Sequence, residues 1–311
     1  MFSLFNKAKG KDGLVGIYFS ADSVTLAHIV SPDSDPELKL CEEFKAETLE
    51  DKAKVLEKQV NKLGLEDTKA SFILSPTDYK LFLVESPQVE PEEMTGAVKW
   101  KIKDLISQPV DEMAITIFPV PDDAYRGQSD MVYAVAAKKS KIHEIIDLVN
   151  NSGLVLKTID IPELVMKNLT AVSADDSNGL AILDLRGTGS ILNLSKKGAI
   201  YLTRHLNTRM DAEVMRSGDW ESILEKLVLE IQRSLDYYES QMGQSPIAKI
   251  LVAPRESDSA ALALQLNDAM AVSVGTLDLT NSLKSKLDLP MNLQQACMMA
   301  IGGALRQEKA A

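Results

Sequence analysis

Alternating hydrophobic and polar positions, bounded by turn residues, predict β-strands near 13–19, 23–30, 37–44, 70–75, 79–85, 113–120 and 131–137. Segments with helical period lie between them near 50–63, 91–106 and 140–152. The stretches "PDSDP" (32–36) and "PDDAYRGQSD" (121–130) are polar connections rich in turn residues. A second block follows: strand 155–160, helix 162–173, then strands 180–185, 189–195 and 198–205. Helix 219–242, strand 248–253, helix 257–270, a short strand 272–276 and helix 292–306 complete it. Groups of strands followed by helices in both halves predict an α/β protein.

The halves echo each other. "GLVGIYFSADSVTLAHI" (13–29) aligns without a gap on "GLAILDLRGTGSILNLS" (179–195). Gly13 meets Gly179, Leu14 meets Leu180, Ile17 meets Leu183, Phe19 meets Leu185 and Leu26 meets Leu192. Two unrelated hairpins also produce weak likeness of this kind. A duplicated strand–turn–strand is nevertheless the trace expected of an actin-like fold, in which two related domains face a nucleotide cleft.

Two helical segments bear on function. In 219–242, Ile223, Leu224, Leu227, Val228, Ile231, Leu235, Tyr238 and Met242 form one apolar stripe, with Asp219 as expected N-cap and Gly243 as terminator. Its flank of Glu225, Glu230 and Arg233 reads as a solvated face. In "EEMTGAVKWKIKDLI" (92–106), Met94, Val98, Ile102 and Leu105 share a face, and Trp100 projects opposite it among Lys99 and Lys103. Trp100 either packs under a neighbouring element or anchors a partner. The glycines of "IGGALR" (301–306) point to close helix packing, because glycine costs helix stability.

Composition narrows the chemistry. The net charge of −11 argues against general nucleic-acid binding. No apolar run approaches a membrane span, and no cleavable signal is visible. Cys41 and Cys297 have no metal spacing, and His28, His143 and His205 are scattered, so zinc chemistry is not expected and the cytoplasm is the expected compartment. No HExxH, GxSxG, GxGxxG or Walker-type loop occurs. The first eleven residues, with Phe2, Leu4 and Phe5 before Lys7, Lys9 and Lys11, form either a solvated terminus or an arm that touches anionic lipid.

Several stretches, taken in order, resemble the PilM-like proteins of type IV pilus assembly. They are the 13–29 hairpin, "AVKWKIKDLISQPVDEMAITIFPV" (97–120), "IDIPELVMKNL" (159–169), "LAILDLRGTGSILNLSKKGAIYLTRHL" (180–206), "EIQRSLDYYESQ" (230–241) and "MMAIGGALR" (298–306). The likeness runs over nearly the whole chain and leans toward the branch serving the mannose-sensitive haemagglutinin (MSHA) pilus. It implies an α/β, actin-like ATPase fold with two pseudo-repeated halves and a central cleft. The first half is expected over 1–158, with an inserted α/β subdomain at about 70–150; the second is expected over 159–311, including a closing C-terminal helix. It also implies a cytoplasmic assembly protein at the inner membrane. Such a protein binds the cytoplasmic N-terminal tail of a PilN-like bitopic membrane protein and links the platform to the assembly motor ATPase. Many family members bind ATP with weak or no turnover.

The resemblance also sets expectations for the nucleotide site. Such a cleft needs acidic groups for magnesium, small-residue turns for the phosphates and a Gly-rich loop for adenine. The family's first phosphate loop reads approximately Asp-x-Gly-Ser; here Tyr18, Phe19, Ser20 and Ala21 stand there, followed by Asp22 and Ser23. Tyr18 cannot supply a carboxylate's charge at neutral pH, and Asp22 should point elsewhere. The second loop keeps Asp184, with Gly187, Thr188, Gly189 and Ser190 as a phosphate turn. Arg186 replaces a glycine; it either pairs with an anion or faces solvent. In "VAPRESDS" (252–259), Pro254 and Arg255 stand where the adenine loop has paired glycines, and the segment after "TRHLN" (203–207) also lacks them. Ser20, Ala21, Asp22, Ser23, Asp184, Gly187, Thr188, Gly189 and Ser190 are therefore candidates for remnant phosphate loops, with Trp100 as a candidate partner contact. No catalytic or metal-ligating residue is assigned. No cofactor is expected, with magnesium-ATP at most weakly bound, and hydrolysis is expected to be negligible. The competing reading is an active actin-like ATPase or sugar kinase.

Overall fold

A computed structural model of the chain describes residues 11–31, 35–125, 130–173, 176–186, 189–210, 214–256 and 258–307. Strands β1 (Leu14–Phe19), β2 (Ser23–Val30) and β3 (Glu37–Lys45) form an antiparallel meander. Helix α1 (Leu49–Leu63) follows, opened by Thr48, whose side chain accepts from the Asp51 N–H, and closed by Gly64 in the left-handed region. It leads to β4 (Lys69–Ile73), parallel to β1. The chain then builds a separate three-stranded sheet from β5 (Tyr79–Glu85), β6 (Met113–Pro119) and β7 (Met131–Lys138), in the order β5-β7-β6, with α2 (Pro91–Ile102) packed on it. Helix α3 (Lys139–Asn151) returns to β8 (Val155–Asp160), parallel to β4, and α4 (Pro162–Ser173) follows.

The second half repeats this plan. A meander of β9 (Leu180–Asp184), β10 (Ser190–Lys196) and β11 (Ala199–Leu206) is followed by α5 (Trp220–Asp236) and β12 (Lys249–Val252), parallel to β9. Helix α6 (Ser259–Ala269) and β13 (Ser273–Thr276), parallel to β12, complete a sheet of order β11-β10-β9-β12-β13. The first sheet runs β3-β2-β1-β4-β8 in the same pattern, with one added edge strand. That strand, β14 (Lys284–Ser285), follows the short α7 (Leu279–Ser282) and pairs with β3. These two elements escape the hydrophobic pattern because four and two residues are too few to show a period.

The gapless superposition of the two hairpins holds in register. Tyr18 pairs with Thr25 across β1–β2, and the equivalent pair across β9–β10 is Asp184 with Ile191. Gly13 and Gly179 both enter their strands at positive φ, 103° and 86°. The last helix, α8 (Met291–Ala304), lies in the second half of the sequence yet packs on β1, β2, β3 and β4 of the first sheet. Helix α4 packs on the second sheet, and α4 and α8 pack on each other between the two. Close approach explains the α8 glycines: a Cβ at Gly302 would lie 2.5 Å from Val165 Cγ1 on α4, and one at Gly303 would lie 2.4 Å from Ile73 Cδ1 on β4. The Asn168 side chain ties the two helices by donating to the Gly302 carbonyl at 2.9 Å.

Three local expectations change. Helix α2 ends at Ile102 and tightens into a 3₁₀ turn over Lys103–Leu105. Val98 and Ile102 are buried, but Leu105, expected on their face, leaves it and is 56% exposed; a tighter turn rotates the position after Ile102 off an α-helical stripe. Asp219 precedes α5 but makes no side-chain cap bond. Glu230 is not simply solvated: its carboxylate accepts from Asn207 and Thr208, backbone and side chain alike, and pins the turn after β11.

Candidate functional site

The two hairpin turns face each other across a cleft of about 360 Å³, walled by Tyr18, Ser20, Asp22 and Ser23 on one side and by Asp184, Leu185 and Arg186 on the other. Pro254, Arg255, Glu256 and the start of α8 close its floor. The predicted loop residues Ser20, Asp22, Ser23 and Asp184 thus converge, and Tyr18 and Asp184 occupy equivalent positions at the ends of β1 and β9. Gly187 and Thr188 lie outside the described residues. Ser190 is buried and its hydroxyl donates to the Thr208 carbonyl, so it ties the start of β10 to the turn after β11.

The polar groups of the first turn are satisfied from within. The Ser20 hydroxyl bonds Asp22 Oδ1 at 3.1 Å and Ser23 Oγ at 2.7 Å, and the Ser20 N–H donates to the Ser23 carbonyl. The Lys52 ammonium of α1 donates to the carbonyls of Ser20 and Ala21 at 2.6 and 3.0 Å. Asp22, expected to point elsewhere, lines the cleft, but its carboxylate takes Lys45 at 3.0 Å. That lysine and the Ser20 hydroxyl hold the Asp22 carboxyl below its ordinary range.

The second turn is closed differently. Arg186 Nε donates to Asp184 Oδ2 at 2.7 Å, and its guanidinium lies over the Tyr18 ring, 5.9 Å from the ring centroid. The solvent-facing alternative for Arg186 is therefore set aside. Burial opposes the charge on Arg186, but the Asp184 carboxylate and Tyr18 together outweigh that and hold the guanidinium above its usual range. At the adenine-loop position, Arg255 is buried, donates to the Leu185 carbonyl at 2.6 Å and pairs with Asp258 at 2.9 Å. Where an adenine loop needs open backbone, this chain has a pinned arginine. No group of three or more His, Cys, Asp or Glu side chains able to hold a metal ion occurs among the described residues. Sequence reasoning missed the roles of Lys52 and Arg255. The spacing of Arg186 two residues after Asp184, at a strand end, was the one available signal for their pairing.

A second concavity lies in the first half. Strand β6 pairs only with β7, and β8 only with β4, among the described residues. Their free edges border a groove of about 270 Å³ lined by Ile115, Ile117 and Phe118 of β6, Ile159 and Ile161 at β8, and Leu164. Arg306 closes one end, donating to the buried Asp160 carboxylate at 2.6 Å. Behind it the fully buried Glu163 joins three elements: Tyr79 of β5 donates to it at 2.6 Å, His205 of β11 bonds it at 3.0 Å, and its carbonyl accepts from Asn193 of β10. Burial, with Glu163 alongside, pushes the Tyr79 hydroxyl well above its ordinary range. None of these pairings is local in sequence, so no motif announces them.

Trp100 is 71% exposed on α2, with the Lys103 ammonium 5.1 Å from the centre of its ring system. Among the described residues it packs under no neighbouring element. Of the N-terminal arm, Phe2, Leu4, Phe5, Lys7 and Lys9 lie outside the described residues. Lys11 is tied down: its backbone N–H meets Thr68 Oγ1, and its ammonium donates to the Leu63 carbonyl at the end of α1.

Two repeated sheets facing a cleft, with α4 and α8 packed between them, find counterparts among solved structures. One chain, from a "PilM-PilN type IV pilus biogenesis complex", superposes with a TM-score of 0.70 at 19% identity, covering 94% of this chain and 98% of that one. The fold is actin-like. The cytoplasmic domain of EpsL, an inner-membrane component of the Vibrio cholerae type II secretion system, matches with a TM-score of 0.51 at 9% identity over 92% of this chain and 94% of that one. A Bacteroides thetaiotaomicron protein described as having an actin-like ATPase fold and unknown function matches at 0.50 and 10% identity over 95% and 100%. No protein-family model and no curated protein matches the chain. Among the described residues no helix is long and apolar enough to cross a membrane.

Proposed function

We propose that the chain is a non-catalytic, PilM-like assembly protein of a type IV pilus machine of the MSHA kind, working at the cytoplasmic face of the inner membrane. Its task in this reading is to hold the cytoplasmic N-terminal tail of a PilN-like membrane protein and to link that platform to the assembly motor. The observation that carries the reading is the apolar groove between the free edges of β6 and β8. An extended segment docks on a free strand edge by adding main-chain hydrogen bonds, while alternate side chains fill pockets. The net charge of −11 favours a tail bearing positive charge beside a few apolar anchors. Likeness to a chain of a PilM–PilN type IV pilus biogenesis complex supports the same assignment at the level of fold.

The cleft supports the non-catalytic side of this reading. Magnesium-ATP fits its residues poorly: a tyrosine stands at the first aspartate position, Asp184 is committed to Arg186, Lys52 holds the first turn, and Arg255 fills the adenine-loop position. An ATPase or kinase needs free carboxylates and open loops there. The reading is tested with labelled peptides from the cytoplasmic tails of pilus inner-membrane proteins, titrated against the full chain by fluorescence polarisation. Saturable binding that Ile117→Asp weakens about tenfold or more is expected, since a charge forced against an apolar wall is costly. Failure of every such peptide to bind sinks the assignment.

A further inference from the structure

We infer that Arg186 is a built-in counter-ion that takes the place of a divalent cation in the cleft and, through Tyr18, fixes the two halves at one closure. Asp184 sits at the end of β9, 5% exposed, and a buried carboxylate needs a compensating charge. In a metal-dependent cleft that charge comes from solution with the ligand. Here it arrives on the same chain, two residues later, through an Nε–H···O bond of 2.7 Å.

The same guanidinium reaches across the cleft. Its central carbon lies 5.9 Å from the centroid of the Tyr18 ring, at the outer end of the range over which a cation is drawn to an aromatic face. One side chain therefore touches the acid of the second half and the aromatic of the first. Tyr18 and Arg186 are two parts of one contact rather than two separate losses. A carboxylate at position 18 would suit a metal, and a glycine at 186 would leave room for one; an aromatic ring and a guanidinium suit each other.

The arginine is also held from behind. Its own carbonyl accepts from the Gly189 and Met210 N–H groups, and Arg255 clamps the adjoining Leu185 carbonyl while pairing with Asp258. The backbone at Leu185 and Arg186 is thus held by both carbonyls, and the guanidinium is presented from a fixed base. Closure in this protein does not wait for a metal or a nucleotide, because the bridging cation is part of the fold. The inference is independent of whether a tail occupies the β6–β8 groove.

The test uses terbium(III) as a probe of the cleft, since its luminescence is excited by nearby tyrosine and Tyr18 lines the site. In wild-type protein no terbium signal should depend on Asp184. In Arg186→Gly the freed Asp184 carboxylate should bind terbium at least about tenfold more tightly, the scale of one charge-assisted hydrogen bond released. Asp184→Asn added to Arg186→Gly should abolish that gain. Arg186→Gln keeps the bulk of the side chain, so it serves if the glycine variant is too unstable; circular dichroism checks that each variant is folded. Amide exchange in the 18–23 turn should quicken in either variant, and added magnesium should slow it again only where Arg186 is missing. The inference is overturned if folded Arg186→Gly and Arg186→Gln gain no terbium affinity. It is equally overturned if wild type binds terbium through Asp184 as tightly as they do.

Discussion

In the β1–β2 hairpin Tyr18 pairs with Thr25 and faces the cleft; in the β9–β10 hairpin Asp184 pairs with Ile191 and faces the same cleft. The strands, the register and the entering glycines agree, and the residues at the turns do not. The first turn is knitted by its own serines and by Lys52, and the second by the Asp184–Arg186 pair. The comparison teaches that one backbone frame, repeated in two halves, can carry two different sets of polar contacts at its turns.

The hairpins differ most sharply in their middle positions. Gly16 in β1 corresponds to Ile182 in β9, and the difference lies in what crosses the strand. A Cβ at Gly16 would sit 1.8 Å from the Ala300 carbonyl oxygen and 2.8 Å from the Ala304 nitrogen, both backbone atoms of α8. Backbone cannot swing aside as a side chain can, so α8 would have to lift off the sheet. Gly16→Ala is expected to cost at least about 4 kcal/mol, at the exceptional end for one substitution. Ile182→Val should cost only about 1 kcal/mol. Urea unfolding followed by circular dichroism measures both, and similar losses would break the proposed asymmetry.

Agreement between the hairpins gives the next largest effect. Leu26 of β2 and Leu192 of β10 are equivalent, and both are buried. Leu26→Ala and Leu192→Ala should each cost about 3 kcal/mol, the usual penalty for a leucine-sized void in a packed core. Values differing by more than about 1 kcal/mol in the same unfolding assay would show that the two cores relax differently, weakening the pseudo-repeat as a description of packing.

Much of this was legible in the residues. The longer helices emerge from hydrophobic period because each presents one apolar stripe to a core, whereas strands such as β1 and β9, buried on both faces, emerge as short apolar runs bounded by turn residues. The duplication was visible in the gapless match of 13–29 on 179–195, and the glycines of "IGGALR" announced a close approach that Val165 and Ile73 now explain. What stayed hidden depends on partners distant in sequence. Glu163 meets Tyr79 and His205 across intervals of 84 and 42 residues, and no local pattern encodes such a meeting. The groove is made by two free strand edges whose freedom follows from sheet order, which periodicity does not report. The Asp184–Arg186 pair is local to the second turn, but the Tyr18 ring beside the guanidinium comes from the other half, so neither turn read alone reveals that contact. Leu105 fell outside its stripe because a 3₁₀ turn changes the period at the very position where the pattern was being extended.

The smallest expected effect separates the halves by pH. Each meander holds a histidine, and the two are shifted in opposite directions. His28 on β2 is buried, with Nε2 2.8 Å from the Asp12 carbonyl. Burial lowers its pKa, the bond to Asp12 opposes this, and the charges of Lys11 and Lys39 lower it further. His205 on β11 has its pKa raised, chiefly by the bond to Glu163, with burial opposing. In the unfolded chain both titrate near 6.5. A lowered folded value means that the stability His28 contributes is present above the unfolded value and is lost as pH falls below it. A raised folded value means that the stability His205 contributes is complete below the unfolded value and is lost as pH rises through the folded one. Thermal midpoints measured between about pH 5 and 8 should therefore decline on the acid side through His28 and on the alkaline side through His205. His28→Asn should flatten the acid limb alone, and His205→Gln the alkaline limb alone. If either variant flattened the other's limb, the two meanders would not be titrating separately, and the histidines would have to be treated as coupled.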